Sequence, residues 1–297
     1  MEIVDDISVL EAGEGASAVC VVARPVDRAL IDAAAASLGV PDYASRAPSR
    51  TRRHPRVYVE GERVSVLAFA ALDGSTPLAV ELLATERGLL VIAEDPALAV
   101  VRRAARKTYG DGRVALASVL TDLARATTEA LDDRADELRG VVANAWSFRS
   151  APERAELTEI RASVFNVQQL CAAQEYLLGP DEDLVTRLPD AALRPLRQAR
   201  AAFAEADATA SRVHAFAGDV LSEQSALVSE RLTLVATIFL PLTVGTAFFG
   251  MNFGWMTARI GSAAAFFSLG VAFPVLLTVA TVMLIGRAAT GGTRRER

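Results

Sequence analysis

The sequence predicts an α/β domain followed by long helices and two C-terminal transmembrane helices. Three observations predict this order. Residues 1–112 contain short β-rich runs, residues 113–250 have apolar side chains at helical spacing, and Arg259 is the one charged residue between positions 232 and 286. The predicted class is therefore a membrane protein with a large polar N-terminal region.

The N-terminal region, residues 1–112, is predicted to be a cytoplasmic α/β domain. Its first residues have neither a basic start nor a long apolar run, so we expect no signal peptide. Gly, Asp and Pro interrupt short runs rich in Val, Ile, Leu and Ala, as is typical of buried strands. The predicted strands are residues 3–10, 17–23, 56–60, 63–70, 79–84 and 88–93, and the predicted helices are residues 27–38 and 96–109.

Long helices are predicted from residue 113 onward, where the strand pattern stops. Residues 113–188 are predicted to form a helical hairpin, because two periodic stretches are separated by a short break and the second ends at Gly179-Pro180. Residues 189–250 are predicted to form one stalk helix, whose near-heptad apolar spacing favours packing against copies of itself. The helices of the hairpin are predicted at residues 114–148 and 152–178.

The C-terminal part is predicted to cross a membrane twice. No charged residue occurs between Arg231 and Arg259 or between Arg259 and Arg287. A helix needs only about 20 residues to cross the hydrocarbon of a bilayer. The predicted segments are a first span at about 231–250 that continues the stalk, an extracytoplasmic loop at 251–261, a second span at 262–286 and a cytoplasmic basic tail at 287–297.

Basic residues predict the orientation of these two spans. Arg231 precedes the first span, and Arg287, Arg294, Arg295 and Arg297 follow the second, whereas the loop carries only Arg259. Because Lys and Arg are enriched on the cytoplasmic side, both termini are expected inside the cell. The expected location is the inner or plasma membrane, crossed more than once.

Several function classes are disfavoured by composition. A net charge of −5 and an isoelectric point near 5.3 argue against nucleic acid as a partner, and the basic stretch 46–56 is expected to be a solvated loop. His54 and His214 are the only histidines and Cys20 and Cys171 the only cysteines, each without a partner at metal-ligand spacing. No nucleophile, base and orienting residue can be assembled from them, so an enzyme is not expected.

A short motif at the end of the first span identifies a resemblance. Phe249-Gly250-Met251-Asn252 follows the segment 239–243, which reads Phe-Leu-Pro-Leu-Thr. In this position, before a second span and after a long polar region, the motif resembles the Tyr-Gly-Met-Asn signature of the CorA-type divalent-cation (Mg²⁺) channel and transporter family. The resemblance implies a homopentamer around a central axis, with Gly250, Met251 and Asn252 as the selectivity filter. The aromatic position is kept here, without its hydroxyl.

The resemblance also implies which residues line the ion path. Aligned with the family, Thr243, Leu240, Leu232 and Ser229 face the axis, at spacings that an α-helix places on roughly one face. The leucines would form apolar collars that gate by dewetting, and Thr243 a ring of hydroxyls. Mg²⁺ gives up water reluctantly, so a ring of neutral Asn252 amides suits a hydrated ion. A cytoplasmic sensor domain would control the gate.

Two alternatives stay open for the transported ion and for the role of the hairpin. The magnesium-importing branch usually has an acidic residue after Met-Asn, whereas residues 253–260 have none and include Arg259. A zinc or cobalt transporter of the same family is one alternative, and a non-conducting membrane-anchored sensor or scaffold is the other. For the residues themselves, Asn252 could cap a helix end, and Thr243 could bond back to its own helix.

The expected partners are other copies of the chain, the lipid bilayer and divalent cations. No cofactor is expected beyond the transported ion, which the resemblance suggests can also act as a regulator. The residues of such a regulatory metal site are not identified, because solvated helix faces explain the acidic side chains equally well. The acidic candidates are Asp181, Glu182, Asp183, Asp190, Asp207, Asp219 and Glu223.

Overall fold

The computed structural model divides the chain into two compact units, Met1–Leu221 and Ser222–Arg297. It describes residues 2–4, 19–41, 43, 54–105, 110–143, 151–179, 184–185, 188–251, 254, 262, 264 and 266–292. The first unit contains the predicted α/β domain, the hairpin and part of the stalk. The second unit contains both predicted spans.

A six-stranded mixed sheet forms the centre of the first unit, in the order β1-β2-β6-β5-β4-β3. Strands β1, β2 and β6 pair in parallel, and β6, β5, β4 and β3 pair antiparallel through tight connections. The strands are β1 (Glu2–Val4), β2 (Val19–Ala23), β3 (Arg56–Glu60), β4 (Arg63–Ala71), β5 (Pro77–Thr85) and β6 (Gly88–Ala93).

Among the described residues, one α-helix lies between strands, four follow the last strand, and a sixth ends this part of the chain. The helices are α1 (Arg28–Ser37), α2 (Asp95–Ala105), α3 (Gly112–Ala143), α4 (Ala151–Leu177), α5 (Asp190–Gly250) and α6 (Phe273–Gly292). A π-helix, Phe266–Ala272, directly precedes α6. Helix α5 has 61 residues and contributes to both units.

Most predicted elements are confirmed with small changes at their ends. Strands β3 and β6 have the predicted bounds, while β5 begins earlier, at Pro77. The predicted strand 3–10 is described only at Glu2–Val4, and the last residues of the predicted helix 114–148 lie outside the described part. The division of the chain into six functional segments stays a prediction.

Both faces of the sheet are covered, which explains why β6 is buried at every position. One face packs against α2, α3, α4 and the N-terminal half of α5 in a single core. The opposite face packs against α1 in a smaller core that includes Leu83, Leu90 and Ile92. The predicted hairpin and stalk therefore share one hydrophobic core with the sheet, because their buried side chains belong to the same cluster.

Two helix side chains complete the hydrogen bonding of β4 where β3 is too short to reach. The pairing of β3 with β4 ends at Leu67, so the backbone of Phe69 and Ala71 extends beyond it. The Gln174 side chain accepts a hydrogen bond from Phe69 N at 2.7 Å and donates one to Phe69 O at 3.2 Å. Thr127 Oγ1 accepts from Ala71 N at 3.1 Å. These bonds hold α3 and α4 against the sheet.

Candidate functional site

Helix α5 is the one described helix that is long and apolar enough to cross a membrane, within Asp190–Phe248, and its apolar end lies in the second unit. Its most apolar stretch is not buried at all in a single chain. Exposed apolar side chains lie on every side of it, which a helix in water does not tolerate. The exposed members are Leu232, Leu234, Val235, Ile238, Phe239, Leu240, Val244 and Phe248.

The second predicted span is represented by a shorter apolar helical stretch, Phe267–Thr281. The π-helix and Pro274 interrupt its regular α-helical bonding, and the residues before it are described only in part. Its exposed apolar side chains, such as Phe267, Leu276 and Met283, resemble those of the first span in character. A complete second crossing and the positions of the termini remain predictions.

The four residues that were predicted to line the path lie on one face of α5. At about 100° per residue, Ser229, Leu232 and Leu240 lie within about 60° of Thr243 around the helix axis. All four are exposed in a single chain, with Leu232 65% and Leu240 68% accessible. The structure therefore leaves this face open for contact with water or with other copies.

The threonine hydroxyls in the apolar part of α5 donate to their own helix. Thr243 Oγ1 donates to Phe239 O at 2.7 Å, and Thr233, Thr237 and Thr246 make the same bond one turn back. The alternative interpretation, in which Thr243 bonds back to its own helix, is therefore confirmed for the hydroxyl hydrogen. Because the hydroxyl has a single hydrogen, its remaining lone pairs can only accept. An acceptor oxygen suits the outward-pointing hydrogens of a hydrated cation.

Helix α6, called here the second helix because it belongs to the second predicted span, contacts α5 on a different side from Thr243. Gly245 lies against the ring of Pro274. An apolar groove of about 390 Å³ surrounds this contact and is lined on α5 by Leu240, Pro241, Val244 and Phe248 as well as Gly245. Gly245 is two residues from Thr243, so it points about 200° away around the helix. The second helix therefore does not cover Thr243, while Leu240, at the edge of the same face, also borders the groove.

The predicted filter is described only in part. Gly250 is the last residue of α5, and Met251 N donates to Phe248 O at 3.3 Å in the turn that ends the helix. Met251 is 48% exposed. Asn252 and Arg259 lie outside the described residues. Their roles as filter and as basic loop residue stay predictions.

The acidic candidates are scattered over the described surface. Asp181, Glu182 and Asp183 lie outside the described residues; Asp190, Asp219 and Glu223 are exposed on α5. Within the described part of the chain, no three His, Cys, Asp or Glu side chains are grouped so that they could hold a metal ion. The described residues therefore provide no ligand set for a regulatory metal ion.

Asp207 is the one acidic candidate with a perturbed environment. Burial raises its pKa and the negative charge of Glu175 on α4 raises it further, whereas a hydrogen bond from Gln168 lowers it. Its Oδ1 atom is buried without a hydrogen-bond partner in the part of the chain that is described. Glu175 itself lies 3.6 Å from Arg200. Asp207 on α5 and Glu175 on α4 are therefore two carboxyl groups that interact where these helices pack.

Replacing Asp207 with asparagine is expected to stabilise the protein at neutral pH. The folded-state pKa of Asp207 is raised, so the folded state binds the proton more tightly than the unfolded state. The stability that this proton confers is present below the unfolded pKa of about 3.9 and is lost as pH rises through the raised pKa. Thermal unfolding of Asp207→Asn and wild type between pH 4 and 8 measures this difference. An equal difference at every pH would contradict it.

A cavity of about 900 Å³ opens between one sheet face and α4 in the first unit. Its walls include Glu81, which is only 3% exposed, together with His54, Glu94 and Asn166. The Tyr43 hydroxyl donates to Glu81 Oε1 at 2.5 Å. Sequence reasoning missed this buried carboxyl, although a single Glu within an apolar strand was a signal that could have indicated it.

Comparison with protein families gives one match over most of the chain. A family model described as "CorA-like Mg2+ transporter protein" matches residues 23–287. The search of curated proteins found no match.

Solved structures resemble this fold at low sequence identity. The complete structure of the CorA magnesium transporter from Methanocaldococcus jannaschii has 15% identity and a TM-score of 0.58, over 92% of this chain and 89% of that one. Full-length CmaX has 14% identity and a TM-score of 0.53, over 82% and 86%. The soluble domain of the M. jannaschii CorA has 11% identity and a TM-score of 0.54, over 67% and 84%. The predicted α/β domain with long helices is thereby confirmed.

Proposed function

Since this chain belongs to the CorA-like Mg2+ transporter family, we propose that it forms a homopentameric channel that carries Mg²⁺ across a membrane. Two spans from one chain cannot enclose a water-filled path, so several copies must surround an axis. The membrane potential would drive uptake, with about 2.3 kcal/mol per charge for each 100 mV and twice that for a divalent ion.

The observation that supports this proposal is the open face of α5. Thr243, Leu240 and Leu232 are exposed together, and the second helix contacts α5 on another side. In a ring of copies, this face would surround the axis while α6 would lie outside. Leu232 and Leu240 would then form apolar collars, and the acceptor oxygens of Thr243 would contact the hydration shell of the ion. Asn252 would meet the ion first, at the outer end.

The ion specificity has a second candidate. Residues 253–260 contain no carboxylate and include Arg259, so the expected mouth lacks the negative charge that would concentrate Mg²⁺. This observation favours a zinc or cobalt transporter of the same fold type, or a broader specificity among divalent cations. A non-conducting scaffold is the candidate from another class.

Flux into liposomes separates these candidates. Vesicles containing the full chain and a Mg²⁺-sensitive dye are expected to fill faster than empty vesicles, and faster still when the interior is made negative. Competing Zn²⁺ or Co²⁺ should slow dye filling only if these ions use the same path. Uptake of Zn²⁺ or Co²⁺ without Mg²⁺ would favour the second candidate. No flux of any divalent ion from correctly assembled protein would favour the scaffold.

A further inference from the structure

The contact between Gly245 and Pro274 leaves no room for a side chain. A Cβ atom added to Gly245 would lie 2.8 Å from Pro274 Cγ and 3.1 Å from Pro274 Cβ. Carbon atoms at their optimal separation are about 3.5–4.0 Å apart. Pro274 is buried by this contact, whereas its neighbours Phe273 and Val275 are about half exposed. Only glycine allows the two helices to approach this closely.

Both helices have weakened backbone bonding close to this contact. Pro241 lies one turn before Gly245 and has no N–H to donate to the Thr237 carbonyl. On the other helix, the π-helix Phe266–Ala272 ends two residues before Pro274, which also lacks an N–H. Helices bend and rotate most easily at such positions. A contact at these positions can therefore determine the rotation of α5 about its own axis.

The groove around the contact shows that the helices meet closely at one point. Its walls are apolar side chains such as Val244, Phe248 and Leu277, and it contains about 390 Å³ of unfilled space. Gly245 and Pro274 both lie in the wall of this groove, so their contact restrains how α5 can turn against the second helix there.

We propose that Gly245 and Pro274 are positioning residues, whose contact turns the Thr243 face of α5 away from the second helix and toward the ion path. The inference rests on the proposed function, because the path is assigned to the Thr243 face. It adds to the proposed channel two residues that orient α5 without touching the ion. A Cβ at position 245 pushes the helices apart or rotates α5, and Thr243 then leaves the path.

Two transport variants and a rescue test this proposal in vesicles that contain the full chain. Gly245→Ala is expected to slow Mg²⁺ flux at least tenfold. Adding Pro274→Ala removes the ring carbon at 2.8 Å and leaves only the Cβ at 3.1 Å, which a shift of a few tenths of an ångström relieves. The double variant Gly245→Ala/Pro274→Ala is therefore expected to recover most of the flux. Ala280→Val adds bulk at an exposed position on α6 and is expected to transport like the wild type.

Labelling of a cysteine at position 243 reports the rotation without any transport. Cys20 and Cys171 are buried, and burial raises the pKa of each thiol to about 12, so neither should react. Thr243→Cys is expected to react with a charged, water-soluble thiol reagent. The same cysteine combined with Gly245→Ala is expected to react at least tenfold more slowly, and Pro274→Ala is expected to restore the rate.

Each outcome decides between the two proposals. If wild-type protein carries no divalent cation, the proposed function fails, while the labelling rates still test the helix rotation. If Gly245→Ala transports and labels like the wild type, the positioning role is wrong. Loss of flux with unchanged labelling of Cys at 243, or loss that Pro274→Ala does not relieve, also overturns it.

Discussion

Replacing Asn252 with alanine is expected to slow divalent-cation flux more than tenfold. In the proposed channel, each amide carbonyl would accept a hydrogen bond from the hydration shell, worth about 1 kcal/mol net. With one amide from each of the copies around the proposed axis, the loss exceeds the 1.4 kcal/mol that corresponds to a tenfold change. Dye-based flux of Mg²⁺ into vesicles measures the effect at equal amounts of assembled protein.

The matched control keeps the amide group and changes only the length of the side chain that carries it. Asn252→Gln is expected to retain part of the flux, because the carbonyl is present but displaced by one methylene. Ser229→Ala offers a second comparison at the other end of the same helix face, where a smaller loss is expected. Flux through Asn252→Ala at the wild-type rate would remove the residue from the proposed filter.

Replacing Gln174 with leucine is expected to lower the free energy of unfolding by about 2–5 kcal/mol. The side chain is 4% exposed and satisfies both Phe69 N and Phe69 O, so leucine leaves two buried backbone groups without their partner. Each such group costs about 1–3 kcal/mol. Domains are stable by only about 5–15 kcal/mol, so the change is a large fraction of the total. Denaturant unfolding of the full chain in detergent, followed by far-UV circular dichroism, measures it.

Gln169 provides the control for this substitution on the same helix. It is exposed on α4, so Gln169→Leu removes the same functional group without burying an unsatisfied one. Its effect is expected to stay within about 0.5 kcal/mol, as for most surface changes. Equal destabilisation by the two substitutions would show that the Gln174 hydrogen bonds contribute nothing specific.

The sequence predicts most of the fold because the hydrophobic periodicity changes sharply along the chain. Strand β6 was predicted with its observed bounds, since a short apolar run between Gly88 and Glu94 has few alternatives. Helix α5 was predicted over its observed length, since no helix-stopping signal precedes Pro241. The shared core of sheet, hairpin and stalk was not predicted, because periodicity shows which face is apolar and not what covers it.

The candidate site was predicted unevenly for a similar reason. A short motif and its position identified the family and led to Asn252 and Thr243, because these residues have a recognisable chemistry. Gly245, Pro274 and Gln174 have no such pattern in the sequence, since a glycine or an amide becomes important only through the group it touches. Glu81 was overlooked in the same way, as one polar residue within an apolar strand.

By itself, the sequence determined the class of this protein: an α/β domain, long helices and a C-terminal part with two long uncharged runs and the Gly-Met-Asn motif of its family. These properties are local, because they depend on composition and spacing along one chain. The tertiary structure alone decided which faces are covered, that Gln174 completes strand β4, and that Gly245 meets Pro274 on a side away from Thr243. Those features depend on contacts between distant residues, and spacing along the chain carries no information about distance in space.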